Sequence, residues 1–290
     1  MSKKSSTEST AIATTEAPAP ETTALATLES SKFLALRPDS ELAEAMAYNY
    51  ANGETVRFSD LIRVKTPSGG STKWSVEELT GEEMVDEIIG AVVYYHPAGT
   101  LWPTDELSEG AKPLLRTRDL ITAEQFGEDY GDLDPDKIEE ARLFDANGEP
   151  VSTADGRGVY DWTKLYYNQW GTGKNGVGKR CKESRQLCIL REGDQFPLYL
   201  QVQVGSLKDV TGFFRKLPGA YFNFVVGFSL EKAKSSGGIT FSKIKPRLVT
   251  KLSRPEALQL KSIYTDRLRG AMDEAIVADA DSFVADDAAF

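Results

Sequence analysis

Five aromatic side chains in residues 160–180 are interleaved with four basic ones, the densest group in the sequence that can recognise a ligand. Flat rings stack on unpaired bases while cations follow the phosphates, and the two together hold single-stranded nucleic acid. Four glycines in the stretch favour binding over the alternative, a surface loop whose rings fold back onto the protein. The aromatic residues are Tyr160, Trp162, Tyr166, Tyr167 and Trp170, and the basic residues are Lys164, Lys174, Lys179 and Arg180.

The same stretch contains an incomplete P-loop. Residues 173–179 have the G-x-x-x-x-G-K spacing, but Arg180 stands where a Ser or Thr has to coordinate Mg²⁺. A P-loop also needs a helix after it, whereas the strand-like residues 186–190 follow here. We therefore keep a P-loop-like, nucleic-acid-dependent NTPase only as an alternative.

No other group of residues forms a catalytic or metal-binding pattern. Cys181 and Cys188 are the only cysteines and have no second Cys or His pair, and His96 is the single histidine. Ser/His or Cys/His catalysis therefore lacks a candidate set, and we expect no enzyme, no metal and no cofactor. Two cysteines are also too few for a disulfide framework, which fits a reducing cytoplasm.

Charge is distributed unevenly along the chain. The formal net charge is −10, yet residues 160–270 contain 20 Lys and Arg against 8 Asp and Glu. This surplus of cations favours nucleic acid as a ligand, although the overall charge does not. Lysines that block strand edges would account for only part of it. The further residues that we expect to meet phosphates or bases are Lys182, Arg185, Tyr199, Arg215 and Lys216.

The C-terminal end is acidic and stops on an aromatic residue. Six carboxylates and no Lys or Arg lie in the last eighteen positions, so we expect a solvated, unstructured tail. Phe290 can fill a small apolar pocket on a partner while its α-carboxylate meets an Arg or Lys. The tail carboxylates can also lie in a basic groove of the protein and compete with nucleic-acid phosphates.

Composition and turn signals organise the first half of the chain. Residues 1–31 are rich in Ser, Thr, Ala, Glu and Pro, lack the apolar core of a signal peptide, and are expected to be disordered. The acidic, turn-rich residues 104–155 predict a long surface insertion. No run approaches the roughly 20 apolar residues of a membrane span. Elsewhere we predict a helix over 38–53 and strands over 58–65, 72–76 and 87–96, with short strands near 114–118 and 141–144.

The second half has clearer signals. The alternation of Leu198, Leu200 and Val202 with polar neighbours predicts a half-buried strand. Ser206 is the expected cap of a short amphipathic helix. The predicted elements are a hairpin of residues 186–191 and 196–204, a helix over 206–217, a long hairpin of 221–234 and 239–251, and a helix from Ser253 to about 275.

The order of these elements predicts a β-rich α+β protein. Strands, then one helix, then a closing hairpin is the order of an OB-fold, a small β-barrel with a helix between its third and fourth strands. Other small barrels share much of this pattern. We expect disordered tails over 1–31 and 276–290 and, between them, an OB-fold-like domain over 32–275 with flanking helices and the insertion at about 104–155.

An OB-like domain followed by an acidic tail ending in Phe resembles the single-stranded-DNA-binding proteins of bacteria and bacteriophages. In that family the barrel binds the strand and the tail recruits replication proteins, which implies this role for Asp286, Asp287 and Phe290. The bacterial tail usually has a Pro before the last Phe, where this sequence has Ala289. Residues 160–250 also resemble uncharacterised proteins of phages and mobile elements.

The sequence thus predicts a phage-type single-stranded-DNA-binding protein of replication or recombination. It would act in the host cytoplasm, away from membranes, and recruit replication or recombination proteins through its tail. Two alternatives stay open besides homo-oligomerisation: a non-enzymatic interaction or virion-associated module, and the NTPase. Nothing in the sequence marks readout of a 2′-OH, so the choice between DNA and RNA is also open.

Overall fold

The computed structural model describes residues 28–33, 36–37, 57–78, 81–104, 112–235, 238–265, 268 and 270–272. The helix predicted over 38–53 and the tail over 276–290 lie outside the described residues, as do residues 1–27 of the N-terminal tail. The statements that follow concern the described part of the chain.

Eleven strands in the described residues form one open mixed sheet. The sheet runs in the order β3-β2-β1-β9-β8-β4-β5-β6-β7, and β10 joins β4 and β11. Most neighbours are antiparallel, but β1 and β9 are parallel. The strands are β1 (Ile62–Lys65), β2 (Trp74–Glu78), β3 (Gly81–Val85), β4 (Glu87–Leu101), β5 (Leu115–Thr117), β6 (Thr122–Gln125), β7 (Val159–Asp161), β8 (Lys182–Leu190), β9 (Leu198–Val202), β10 (Phe224–Lys234) and β11 (Thr240–Lys251).

Strand β4 holds the sheet together because both of its edges are paired. Its residues 91–100 pair with β8 on one edge. On the other edge, residues 87–91 pair with β10 and residues 99–101 pair with β5. The strand predicted over 87–96 is therefore confirmed, and it continues five residues further.

Few helices accompany the sheet. They are α1 (Pro135–Glu139), α2 (Val204–Arg215) and α3 (Arg254–Leu260), the last followed by a π-helical turn over Lys261–Thr265. The start of α3 is confirmed, since Ser253 and Glu256 form a capping box. The prediction that Ser206 caps α2 is wrong, because the helix begins earlier, after Gln203. Ser206 instead accepts a hydrogen bond from the backbone N–H of Ile244 in β11 (3.0 Å).

The central core lies between helix α2 and the inner faces of β1, β2, β4 and β8–β11. Val210 and Phe214 of α2 pack there against side chains such as Leu187, Leu200 and Phe228. Trp74 crosses this core and donates its indole N–H to the carbonyl of Phe228 (2.8 Å). Four alternate side chains of β10, those of Phe224, Val226, Phe228 and Leu230, all belong to this core.

The turn between β1 and β2 approaches the far hairpin. Ser68 forms an isolated antiparallel bridge with Phe241 of β11. Gly70 has a positive φ of 77°, and a Cβ atom at this position would lie 2.5 Å from the side chain of Thr240. A glycine is therefore needed for the turn and for the close approach. The strand predicted over 58–65 is shorter than expected, because residues 58–60 form a 3-10 turn.

The outer face of β4 and β8 is covered by segments from the two ends of the described chain. Phe33 and Leu36 pack with Leu260, Tyr264 and other residues of the final helical segment. Ser31 donates a hydrogen bond to Glu256 (2.7 Å), which ties the two segments together.

Residues 112–167 build a third core, the insertion core, of their own. It contains Leu101, Leu115, Ile138, Trp162 and Leu165, all 1% exposed or less, together with neighbours from the same segment. Where the structure describes it, the segment predicted as an insertion at about 104–155 is folded, and its strands extend the sheet beyond β4. The strand predicted near 114–118 is confirmed, but residues 141–144 form only isolated bridges.

No helix in the described residues combines the length and the apolar character needed to cross a lipid bilayer.

We predict that Trp162→Ala lowers the free energy of unfolding by about 3–5 kcal/mol, because it removes a buried ring from the insertion core. Trp170→Ala is a matched control, since Trp170 is 81% exposed, and its effect should stay within about 0.5 kcal/mol. Urea unfolding followed by circular dichroism measures both values. Equal losses for the two variants would contradict this packing.

Candidate nucleic-acid interface

A groove of about 760 Å³ lies between helix α2 and strands β8 and β11. Basic residues outnumber acidic ones along it by five to two, and its apolar part comes mainly from α2. The basic residues are Arg185, Lys208, Arg215, Lys216 and Lys245, the acidic ones are Glu183 and Asp209, and the others are Leu207, Thr211, Gly212, Phe213 and Pro246.

The periodicity of two elements places these side chains together. In α2, Val210 and Phe214 face the central core, so Lys208 and Arg215 point away from it. In β8, Arg185 shares a face with Leu187, which is buried in the same core. Because β8 continues past the core, Arg185 emerges beside the helix and becomes part of the groove wall.

Four of the groove cations are available to a ligand. Arg185, Lys208, Arg215 and Lys216 form no ion pair within the described residues, although Arg185 donates a hydrogen bond to the carbonyl of Ser184 (2.9 Å). Three of them, Arg185, Arg215 and Lys216, were predicted from sequence as phosphate contacts, and the structure brings them to one groove. The fifth, Lys245, is ion-paired with Asp209 (2.8 Å).

Phe213 gives the groove an aromatic surface that is held in place. It is half-buried and meets Phe214 edge-on, with ring centroids 5.4 Å apart. Phe214 in turn stacks on Tyr95 at 4.1 Å. Sequence analysis missed Phe213 and also Lys208. The available signal was that Val210 and Phe214, four residues apart, already fill the inward face of α2, so Phe213 has to point elsewhere.

Residues 169–178 form a second exposed feature, the tryptophan loop. Trp170 is 81% exposed, whereas the other three tryptophans are at most 4% exposed. The loop is closed by hydrogen bonds from the N–H groups of Gly171 (2.7 Å) and Gly173 (3.3 Å) to the carbonyl of Gly178. A Cβ atom on Gly173 would lie 2.1 Å from the carbonyl oxygen of Val177, so this turn needs glycine.

Lys179 connects the tryptophan loop to the groove. Its Nζ lies 3.0 Å from a carboxylate oxygen of Glu183, which lines the groove, and 3.1 Å from Oδ1 of Asn168. Asn168 is two residues before Trp170. The exposed ring therefore stands on a loop anchored at one end of the groove.

Three predicted stacking residues are buried, and their assignment is corrected. Trp162 is 1% exposed in the insertion core. Tyr167 is 9% exposed, and its hydroxyl accepts the backbone N–H of Asp134 (2.7 Å). Tyr199 is 2% exposed and meets Phe58 edge-on. The insertion covers the rings of Trp162 and Tyr167, and residues 58–60 cover the ring of Tyr199. The periodicity of the sequence does not reveal either of these contacts.

Arg180, predicted to contact a phosphate, is also buried. Its guanidinium donates to Asp132 (2.8 Å) and to the carbonyl of Pro103 (3.3 Å). It joins the start of β8 to the insertion, and we correct its role to a structural one.

The remaining predicted residues differ in their exposure and in their partners. Tyr166 is 36% exposed, with the ammonium of Lys137 4.2 Å from its ring centre. Lys164 is exposed and pairs with Asp161 (3.1 Å). Lys174 is exposed in the loop itself, and Lys182 is half-buried at the start of β8. Tyr160 is buried, and burial together with a hydrogen bond to Glu139 raises its pKa to about 12.

The P-loop-like residues 173–179 do not precede a helix. Strand β8 begins at Lys182, and Lys179 is engaged by Glu183 and Asn168. The N–H groups of a helix N-terminus that would cradle a nucleotide phosphate are therefore missing from this segment of the described chain.

Neither cysteine is presented to solvent. Cys181 and Cys188 are both buried free thiols, and burial raises the pKa of each. Within the described residues, no three His, Cys, Asp or Glu side chains converge in a way that could hold a metal ion.

The tail residues Asp286, Asp287 and Phe290 lie outside the described residues. Comparison of the chain with protein-family models, with curated proteins and with solved structures found no match.

We predict that Lys245→Met raises the pKa of Asp209. Hydrogen bonds from Lys245, the larger effect, and from Lys243 hold the pKa of this carboxyl below its ordinary value. A lowered folded-state pKa stabilises the protein above the unfolded pKa, and this stability is lost as pH falls through the folded one. Carboxyl NMR titration measures the shift, with Lys251→Met as control. An unchanged Asp209 pKa would contradict the ion pair.

Proposed function

We propose that the protein binds single-stranded DNA in the α2 groove and on the tryptophan loop. The observation that supports this most directly is the groove itself, which four cations without ion-pair partners in the described residues line together with the half-buried ring of Phe213. Cations attract phosphates of any sequence, and an aromatic face stacks any base. The expected binding is therefore strong at low salt and tolerant of sequence.

Two aromatic residues that reach the surface, the half-buried Phe213 and the exposed Trp170, favour a single strand over a duplex. Phe213 and Trp170 can stack only on bases that are not paired inside a helix. The link from Glu183 through Lys179 to Asn168 makes the groove and the tryptophan loop neighbouring parts of one path. A strand would run with its phosphates along Arg185, Arg215 and Lys216 and with its bases turned toward the two rings.

We propose that this arrangement is OB-like. Helix α2 stands between β9 and β10, as the helix of an OB-fold stands between the third and fourth strands. The bridge from Ser68 to Phe241 and the close approach of Gly70 to Thr240 bring β11 to the β1–β2 turn. Because β11 and the β1–β2 turn meet in this way, the contacts support a barrel-like arrangement of the strands around the central core.

The acidic tail would regulate this site and recruit a replication or recombination protein. The described chain ends at Met272, whose carbonyl accepts a hydrogen bond from Gln186 (3.3 Å). Gln186 follows Arg185 directly in β8, so their side chains lie on opposite faces of the sheet. The proposed competition therefore depends on the opposite charges of the tail and of the groove cations. The resemblance to bacterial and phage single-stranded-DNA-binding proteins implies a partner for Phe290.

We predict that the double variant Arg215→Met/Lys216→Met weakens binding to oligo-dT roughly 25-fold at about 0.1 M salt. Each phosphate contact contributes roughly 0.7 to the slope of log K against log salt, so the slope should fall from about −2.8 for four contacts to about −1.4. Quenching of tryptophan fluorescence measures both quantities and reports mainly on Trp170, the exposed tryptophan.

Lys73→Met/Lys251→Met is the matched control, because it removes two exposed cations that do not line the groove. It should leave the slope within about 0.3 of the parent value. Equal losses for the two double variants would show that the groove is not the site. Failure of the parent protein to bind oligo-dT would favour an acidic protein segment as the ligand.

We predict that deleting residues 278–290 tightens binding to oligo-dT, most clearly at low salt, because four competing aspartates (Asp279, Asp281, Asp286 and Asp287) are removed. The same deletion should abolish recruitment of the partner protein. A filter-binding titration with full-length and shortened chains tests the first effect. Unchanged or weaker binding by the shortened chain would rule out competition by the tail.

A further inference from the structure

Two lysines beside the groove are neutralised by the protein's own carboxylates. The Asp209 carboxylate lies 3.1 Å from Nζ of Lys243 and 2.8 Å from Nζ of Lys245. Lys245 also lies 3.0 Å from Glu231. The four side chains together have no net charge, in contrast to the four groove cations that have no ion pair in the described residues.

The docking of helix α2 on β11 creates this arrangement. Ser206 accepts the N–H of Ile244 at the edge of β11, which fixes the start of the helix against the strand. Asp209 lies three residues after Ser206 and so occupies the same side of the helix. Lys243 and Lys245 flank Ile244 on the opposite face of the strand, where Asp209 reaches both.

The neutralised pair adjoins the space in which the strand would lie. Asp209 and Lys245 line the same groove as Lys208, Arg215 and Lys216. The side chain of Lys245 is 41% exposed and that of Lys243 is 26% exposed, so neither is shut away from solvent. A phosphodiester has one negative charge, as Asp209 has, and it accepts hydrogen bonds from ammonium groups in the same way.

We propose that Lys243 and Lys245 form a second phosphate-binding subsite that Asp209 occupies in the free protein. This inference rests on the proposed function of the groove. A strand that extends past Lys208 exchanges its phosphate for the Asp209 carboxylate. Because each new phosphate contact replaces an existing ion pair, the subsite contributes little net affinity while Asp209 is charged. Removing that charge releases Lys243 from its ion pair with Asp209 and leaves Lys245 paired with Glu231 alone, so the strand competes with one carboxylate fewer.

The test is a double-mutant cycle in the full chain. Asp209→Asn should tighten binding to a long oligo-dT and steepen the slope of log K against log salt by up to about 1.4, the value for two added phosphate contacts. In that background, Lys243→Met/Lys245→Met should abolish the whole gain. In the parent protein, the same lysine changes should alter the slope by less than about 0.5.

Glu149→Gln is the control for a general charge effect, because it removes one exposed carboxylate from the insertion, away from the groove lining. The inference is overturned if Asp209→Asn increases the affinity for oligo-dT no more than Glu149→Gln does. It is also overturned if the two lysine changes reduce affinity equally in the parent protein and in Asp209→Asn. Asp209→Ala provides a second variant should the Asn form unfold, since Ala favours a helix.

The outcomes separate this inference from the proposed function. If binding of oligo-dT depends on Arg215 and Lys216 but not on the charge of residue 209, the proposed groove site is supported and the second subsite is ruled out. If the parent protein does not bind oligo-dT, both proposals are ruled out.

Discussion

Hydrogen bonding along both edges of β4 is the constraint on which the rest of the structure depends. This one strand pairs with β8 along residues 91–100, with β10 at one end of its other edge and with β5 at the opposite end. The first two pairings enclose the central core and the third extends into the insertion core. The groove and the tryptophan loop are adjacent because β8 connects them. One face of β8 lines the groove, and the strand begins shortly after the loop in sequence.

Fewer cations face the groove than the charge distribution along the sequence suggests. Many cations of the basic half are used internally: Arg180 binds Asp132, Arg247 binds Glu87 and Lys245 binds Asp209. Burying or pairing these groups leaves a smaller set that faces the groove. The ligand that we propose would meet a few positioned cations and two rings, so the surplus of charge along the chain overstates the number of contacts.

Local signals made part of the fold predictable. The β10–β11 hairpin follows from apolar alternation on either side of a Ser-Ser-Gly-Gly turn, and α3 follows from Ser253 and Glu256. The insertion core was not predictable, because its apolar residues are far apart in an acidic segment and meet only through pairing with β4. The same non-local pairing buries Trp162. A carbon atom of its ring lies only 2.7 Å from the position that a Cβ atom on Gly99 would occupy. Residue type predicted three of the groove cations, Arg185, Arg215 and Lys216, but could not distinguish exposed rings from buried ones.

Photo-cross-linking of a halogenated oligo-dT to the full chain, followed by mass-spectrometric mapping, shows whether a single strand lies in the groove and on the tryptophan loop. A strand that follows the groove and the tryptophan loop should cross-link to Phe213 and Trp170, and Trp162 and Tyr199 should remain unlabelled. Cross-links confined to the insertion, or to the β2–β3 hairpin at the other end of the sheet, would contradict the account.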